Sequence, residues 1–289
     1  MLEHQIDCIV RFHDFSRLAE LNRCVFSLLG QTYRPLNIIL AVQRFTLEQL
    51  AAVKASLAPM LNLPNAPSLQ IENLTDSSVR DARTELLNLG LAAATGQYVA
   101  FLDYDDVLYP EAYSILALRM QASQAAISFA SVRLLKVDIF PQFIRSVKRA
   151  VAPFHGHDLR DLFRANFCPI HSYLIDRSKI GPTTLRFDTS LSWEEDYDLL
   201  LKICAAYPSD FSALDKIIGD YYFKSDGSNT VATGNSLDQA RNDEYKRVSA
   251  LIEARRRVTY VAPAVQKQLG FASILPTMTV RDALSLIRK

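Results

Sequence analysis

The sequence predicts an α/β fold, and three observations support this. Over residues 1–110, short apolar runs alternate with segments of helical periodicity, which implies parallel strands joined by crossover helices. The run 98–102 is continuously apolar and follows a Thr-Gly turn signal, as in a buried strand. The chain has 289 residues, 49% of them hydrophobic, so it can bury a large core.

The first 110 residues carry the most regular alternation. Ser16 or Asp14 is placed to cap the first helix, and Gly30 lies near its end. The predicted strands are 6–12, 37–42, 69–74 and 98–102, and the predicted helices are 18–29, 46–61 and 78–94.

The second half is less regular but continues the pattern of helices and strands. The predicted elements are helix 112–122, strand 126–137, a short helix ending at 162, strand 172–175, helix 199–206, strand 217–223, a polar loop 224–234, a charged helix from 236 to about 258, and a smaller helical tail. We therefore expect a main domain over 1–235, divided at 110, and a helical extension over 236–289.

Composition narrows the class of protein. The chain has 32 basic and 31 acidic side chains, so nothing indicates a nucleic acid partner. Its four scattered cysteines are typical of buried thiols in a reducing compartment, and no segment approaches the roughly 20 apolar residues of a membrane span. We expect a cytoplasmic protein, with peripheral attachment at the inner membrane face and self-association as open alternatives.

Two basic clusters bear on that alternative, 145–149 and 255–257. Such clusters are usually solvated faces. Both adjoin apolar residues, so attraction to an anionic membrane or a lipid-linked molecule is a hypothesis.

Three carboxylates follow the apolar run 98–102, at Asp103, Asp105 and Asp106. Carboxylates crowded at the end of a buried strand repel one another and lose hydration, and a divalent cation compensates both costs. Mg²⁺ and Mn²⁺ favour such oxygen ligands. The alternative is that Asp105 or Asp106 caps a helix beginning near Pro110, but one aspartate would suffice for a cap.

Three motifs in order resemble the inverting family-2 glycosyltransferases, which have the GT-A fold. They are Ser-Leu-Leu-Gly-Gln-Thr-Tyr at 27–33, the segment 88–106 with its Phe-Leu-Asp-Tyr-Asp-Asp ending, and Glu-Asp-Tyr-Asp-Leu at 195–199. The resemblance covers about residues 5–230. It implies a mixed central sheet, with a nucleotide-binding half over 1–110 and an acceptor half over 111–235.

The resemblance also implies an activity. It is metal-dependent, inverting transfer of a sugar from a nucleoside diphosphate-sugar to a saccharide or lipid-linked acceptor, in polysaccharide or glycan biosynthesis. Asp105 would contact a Mg²⁺ or Mn²⁺ ion that bridges the two phosphates. Asp103 would contact the ribose, or the metal directly or through a bound water, and Asp106 would support the site or act as a cap.

Asp196 is the candidate general base under this resemblance, with Glu195 in support. The alternative is that 192–198 is an acidic helix N-terminus favoured by the helix dipole. Trp193 would stack on a sugar or belong to the core, and His171 is expected to be structural. His155 and His157 are assigned to a surface loop.

The chain departs from the family pattern at three donor-side positions. Gln43 stands where an acidic donor contact is usual, and it can still hydrogen-bond a base or ribose. Arg83 lies one turn before the usual basic position, and Lys224 is the obvious phosphate partner where a histidine is common. These changes keep open a non-catalytic, nucleotide- or glycan-binding relative. Nucleotidyl transfer ranks last because no glycine-rich loop follows the first strand.

Overall fold

The computed structural model describes residues 4–78, 81–140, 143–150, 154–225 and 239–287. Nine strands of these residues form one mixed sheet in the order β3-β2-β1-β4-β8-β6-β9-β5, with β7 paired to β6. The strands are β1 Ile6–Phe12, β2 Leu36–Gln43, β3 Ser68–Leu74, β4 Tyr98–Asp103, β5 Val107–Leu108, β6 Ile127–Ile139, β7 Ile144–Ala150, β8 Tyr173–Asp176 and β9 Ser209–Lys224.

Helices cover both faces of this sheet. They are α1 Leu18–Leu29, α2 Leu47–Leu61, α3 Arg83–Ala93, α4 Ala112–Ser123, α5 Leu159–Arg164, α6 Glu195–Ala206, α7 Gln239–Val258, α8 Pro263–Gln268 and α9 Val280–Ile287. Core residues of α1, α2 and α4 cluster on one face, and those of α3 and α5 to α9 cluster on the other. The predicted α/β class and mixed central sheet are confirmed.

Strands β1 to β4 are mutually parallel, as the alternating pattern predicts. Side chains alternate between faces along a strand, so Ile9 packs in the α6 cluster while Val10 packs in the α1 cluster. The same alternation sends Arg11 toward α6. Arg11 is also the register partner of Asp103 on β4, so their side chains are neighbours.

The structure explains the start of one predicted helix by its capping residues and corrects the starts of two others. Thr46 begins α2 with a reciprocal capping box to Gln49. Asp14 caps a short 3₁₀ turn, Phe15–Arg17, rather than α1 itself. The helix predicted from residue 78 begins at Arg83, and residues 79–80 are outside the described residues.

The second half contains one strand that the sequence did not predict. Residues 144–150, interpreted as a basic solvated segment, form β7, because five of its seven side chains are exposed and give no alternating apolar signal. β9 begins at Ser209, well before the predicted 217, since its irregular first part has little apolar patterning.

The C-terminal helices pack back on the sheet rather than standing apart. Val248, Ile252, Val265 and Leu284 belong to the same buried cluster as Phe101 of β4. The predicted boundary at 235/236 and most of the polar loop 224–234 lie outside the described residues, so the domain division stays a prediction. Within the part of the chain that is described, no helix has the length and apolar character to cross a membrane.

Candidate active site

The three predicted carboxylates meet in the turn between β4 and β5. The Asp106 amide donates to the Asp103 carbonyl at 3.0 Å, and this turn folds the segment back on itself. One ligand oxygen from each of Asp103, Asp105 and Asp106 lies within 4.8 Å of the others. The structure therefore brings together the cluster that the sequence predicts.

Arg11 is the partner that the sequence analysis missed. Its guanidinium makes a bidentate contact with Asp103, in which Nη2 lies 3.0 Å from Oδ2 and Nε contacts Oδ1. Its Nη1 also donates to Glu195 Oε1 at 2.7 Å. Burial alone would raise the pKa of Asp103, but attraction to Arg11 outweighs it and lowers that pKa. One buried cation thus joins the β4 carboxylate to the first residue of α6.

Lys224 holds the second carboxylate. Its ammonium lies 2.6 Å from Asp105 Oδ2 and 3.6 Å from Glu20 Oε2, and the residue is only 3% exposed. Arg23 donates to the Asp105 carbonyl at 2.8 Å. The predicted phosphate partner therefore lies inside the carboxylate cluster, at the last residue of β9.

Asp106 is the most buried of the three carboxylates. Its Oδ1 accepts from the Tyr222 amide at 2.7 Å, and its Oδ2 lies 3.4 Å from His171 Nδ1. Burial, together with the charges of Asp105 and Asp103, raises the pKa of Asp106 well above its ordinary value. The alternative interpretation as a helix cap is wrong, because α4 begins after Glu111 with no side-chain cap.

His171 fills the space behind Asp106. It is 1% exposed and lies parallel to the Tyr221 ring, with 6.2 Å between ring centroids. Burial lowers the pKa of His171 to about 4, so its imidazole is neutral near pH 7. This placement supports the structural role expected for it.

Two pockets adjoin at this edge of the sheet and share Arg11, Asp103 and Tyr221 in their walls. The first is polar and also contains three further predicted donor-side groups, Arg83, Asp105 and Lys224. The second is lined by the acidic start of α6 and by apolar groups, among them Trp193, Phe154 and Ile170. The first pocket therefore combines basic and acidic side chains, and the second adds the carboxylates of α6.

Asp196 lies in the second pocket, where the Asn166 amide donates to its Oδ1 at 3.3 Å. Burial and the nearby charges of Glu195 and Glu194 raise the pKa of Asp196 to about 8. Burial likewise raises the pKa of Glu194 to about 7. Carboxylates with such pKa values are stronger bases than an ordinary aspartate, and that of Asp196 is mostly ionised only above about pH 8.

The remaining predicted residues divide between site and surface. Gln43 ends β2 and lines neither pocket among the described residues. Arg83 lines the first pocket and pairs with Asp81 at 2.7 Å. His155 and His157 are exposed in a loop, as predicted. Trp193 is partly buried and also packs against Tyr245, so both of its expected roles remain open.

The carboxylate cluster fits a divalent cation by the chemistry of its donors. Asp105 and Asp106 offer hard oxygen ligands, and a cation beside Asp106 would favour the ionised form that burial and the neighbouring carboxylates disfavour by raising its pKa. Lys224 partly neutralises Asp105 in this arrangement, so an ion there would compete with the ammonium for that carboxylate.

Comparisons with known proteins agree with the resemblance found in the sequence. The model of "Glycosyl transferase family 2" matches residues 79–180, which include the carboxylate cluster but not Glu195 or Asp196. No curated protein matches the chain in a sequence search.

Solved structures share its fold at low identity. TarS from S. aureus covers 91% of the chain at 14% identity and a TM-score of 0.62, and the chain spans only 42% of TarS. TarS 1-349 in complex with UDP-GlcNAc has a TM-score of 0.58 at 14% identity, with 91% and 70% of the two chains covered. The mannosyltransferase PcManGT from Pyrobaculum calidifontis, in complex with GDP-Man and Mn²⁺, has a TM-score of 0.55 at 13% identity, with 100% and 79% covered.

The fold and the carboxylate cluster thus agree with the family match. The chain has the GT-A fold, and the resemblance to the family-2 glycosyltransferases is confirmed over residues 79–180.

Proposed function

We propose that this protein is a metal-dependent, inverting glycosyltransferase that uses a nucleoside diphosphate-sugar. The observation that carries the proposal is the pair of adjoining pockets, one with clustered carboxylates and cations and the other with Asp196. The complexes of TarS 1-349 with UDP-GlcNAc and of PcManGT with GDP-Man and Mn²⁺ support a donor of this class.

The donor would lie in the first pocket. Lys224 and Arg83 would turn from their carboxylate partners to its diphosphate. Arg11 keeps Asp103 ionised as an acceptor for ribose hydroxyls. Asp105 and Asp106 would hold a Mg²⁺ or Mn²⁺ ion, which would supply charge neutralisation to the departing diphosphate. Gln43, outside both pockets, is a weaker candidate for a base or ribose contact.

The acceptor, a saccharide or a lipid-linked glycan, would enter the second pocket. Asp196 takes the proton of its hydroxyl as the oxygen bonds to the sugar carbon, and the electron pair of the breaking bond leaves with the diphosphate. Attack from the pocket opposite the leaving group inverts the configuration. Glu195, held by Arg11, positions the start of α6 that carries Asp196.

Thermal-shift titration with UDP, GDP, CDP and dTDP, each with and without Mn²⁺, tests donor binding. At a hundredfold excess over Kd a ligand stabilises the fold by about 2.7 kcal/mol, which raises Tm by about 4 °C in a chain of this size. We expect one nucleotide to act only with metal, and Asp105→Ala to abolish the shift. Asp215→Ala, at an exposed position, is the matched control. The absence of any shift would argue against the proposal.

A non-catalytic nucleotide- or glycan-binding protein is the second candidate. One observation favours it: in the turn that follows Gln43, which stands where an acidic donor contact is usual, Phe45 is buried against Phe12 and Phe15. Transfer assays decide between the two, because Asp196→Asn in a transferase keeps nucleotide binding and loses product formation. A cytoplasmic location and any oligomer stay predictions.

A further inference from the structure

The hairpin of β6 and β7 extends past its neighbouring strand. β6 pairs with β9 as far as Val137, which lies opposite Lys224, the last residue of β9. Farther along, Asp138 and Ile139 pair with Arg145 and Ile144 of β7 alone. The far end of the hairpin therefore extends past β9, and Phe140 and Phe143 line a cavity there together with Arg23 of α1.

Apolar side chains at that end are exposed. Phe140 is 40% exposed, Phe143 is 57% exposed and Val147 is 60% exposed. The two phenyl rings stack on each other, with 4.6 Å between centroids, and neither belongs to a buried core cluster. Grouped apolar exposure of this kind marks an interaction surface.

Positive charge accompanies the exposed rings. Lys136 and Lys148 are direct cross-strand partners, an arrangement in which like charges destabilise a sheet. Arg145 and Arg149 are also exposed on β7, and Asp138 is the single acidic residue of the described hairpin. This segment is strongly basic in a chain whose net charge is only +1. An anionic surface would relieve the repulsion.

We propose that this hairpin docks the protein on an anionic lipid bilayer. Phenyl rings insert at the boundary of headgroups and acyl chains, while lysine and arginine side chains contact lipid phosphates. The exposed aromatic rings of the hairpin match the apolar interior of the bilayer, and its basic side chains match the negative charge of the bilayer surface. This inference goes beyond the proposed function, because docking does not require transfer activity.

Docking would also place the two pockets at the membrane. Lys224 of the first pocket lies at the root of the hairpin, and Phe154, four residues after β7, lines the second. If the proposed function holds, a lipid-linked acceptor would reach Asp196 directly from the bilayer. This consequence alone depends on the glycosyltransferase proposal.

Vesicle sedimentation tests the docking surface in the full-length protein. Vesicles of phosphatidylcholine alone are compared with vesicles that also contain phosphatidylglycerol, and only the latter should carry the protein down. Each basic side chain near an anionic surface contributes about fivefold in affinity, so Lys136→Gln/Lys148→Gln should bind about 30-fold more weakly. Phe140→Ser/Phe143→Ser should also lose binding.

Matched controls remove equivalent groups elsewhere. Lys216→Gln/Lys246→Gln removes two exposed charges, and Phe26→Ser removes a ring that is 64% exposed; both should bind like the wild type. Equal sedimentation with both vesicle types, or unchanged binding by the lysine pair variant, would overturn the proposal. The proposal would also be overturned if the protein did not bind vesicles and instead formed a dimer that the Phe140→Ser/Phe143→Ser variant dissociates. Nucleotide shifts measured on the same variants report the proposed function separately.

Discussion

Arg11 offers the sharpest test of the site's electrostatics. The Arg11→Met change keeps most of the side chain's length and removes a cation whose side chain is 12% exposed. Two carboxylates then lose their partner, Asp103 with a side chain 22% exposed and Glu195 with one 11% exposed. Both remain too buried to regain full hydration, so the variant should unfold more easily.

The size of the loss follows from the geometry. At an effective dielectric constant of about 20, charges about 4 Å apart attract by about 4 kcal/mol, so two pairs give a gross loss of about 8 kcal/mol. Removing Arg11 also removes its own desolvation cost of several kcal/mol. The net destabilisation expected is about 3–5 kcal/mol, the range found when one partner of a buried pair is deleted.

Urea unfolding at pH 7 measures this loss, and a double-mutant cycle assigns it. Arg11→Met, Glu195→Gln and the double variant should show a coupling energy above about 1 kcal/mol. Arg164→Met is the control, because its pair with Asp161 is largely exposed and should contribute below about 1 kcal/mol. The ion pairs of Arg11 would be refuted if the stability losses of the two single variants added to that of the double variant within about 0.5 kcal/mol. They would also be refuted if Arg11→Met lost no more stability than the control variant.

Three further predictions follow from the site and its supports. Because the pKa of Asp196 is raised to about 8 and a general base acts as the anion, kcat/KM should rise with pH up to about 8; a profile flat on the acidic side would exclude this base. Lys224→Met should weaken nucleoside diphosphate binding by about 2 kcal/mol, because a charge-assisted hydrogen bond is lost. Calorimetry measures this affinity, and the control Lys216→Met, at an exposed position, should bind like the wild type. Equal affinities of the two variants would remove Lys224 from the donor site. Gly219→Ala would drive a methyl group into the Val107 carbonyl and should lower the free energy of unfolding by about 1–3 kcal/mol, measured by thermal unfolding. In the control Gly181→Ala the nearest neighbour of the new methyl group is the Tyr207 hydroxyl at 3.6 Å, so the stability should hardly change. A larger loss for Gly181→Ala would contradict the tight contact between β5 and β9.

The sequence predicts this molecule well where a signal is local. Strand β1 has the predicted bounds, because five of its seven residues are apolar and only Asp7 and Arg11 interrupt the run. The carboxylate cluster is likewise local, since three aspartates lie within four residues and one turn assembles them. The basic strand β7 was missed for the same reason, as its pairing with β6 leaves no periodic apolar trace.

Partners across the fold were harder to predict. Arg11 acquires its role only when β1 pairs with β4 and α6 covers that face. A signal did exist, because a charged residue inside a buried strand must find a compensating partner. Lys224 was identified as a phosphate ligand and the end of its strand was predicted to within one residue, but its burial against Asp105 and Glu20 is a contact across the fold that the apolar pattern does not encode.

The ion pairs of the site couple the binding of the donor to the binding of the metal. Arg11 satisfies Asp103 and Lys224 satisfies Asp105, whereas Asp106 remains buried with a raised pKa. A diphosphate that attracts Lys224 would weaken its hold on Asp105 and so increase the negative charge available to a divalent cation. Conversely, a cation that neutralises Asp105 would free Lys224 for the phosphates. Donor and metal should therefore bind cooperatively, each with an affinity raised by the same factor when the other is present.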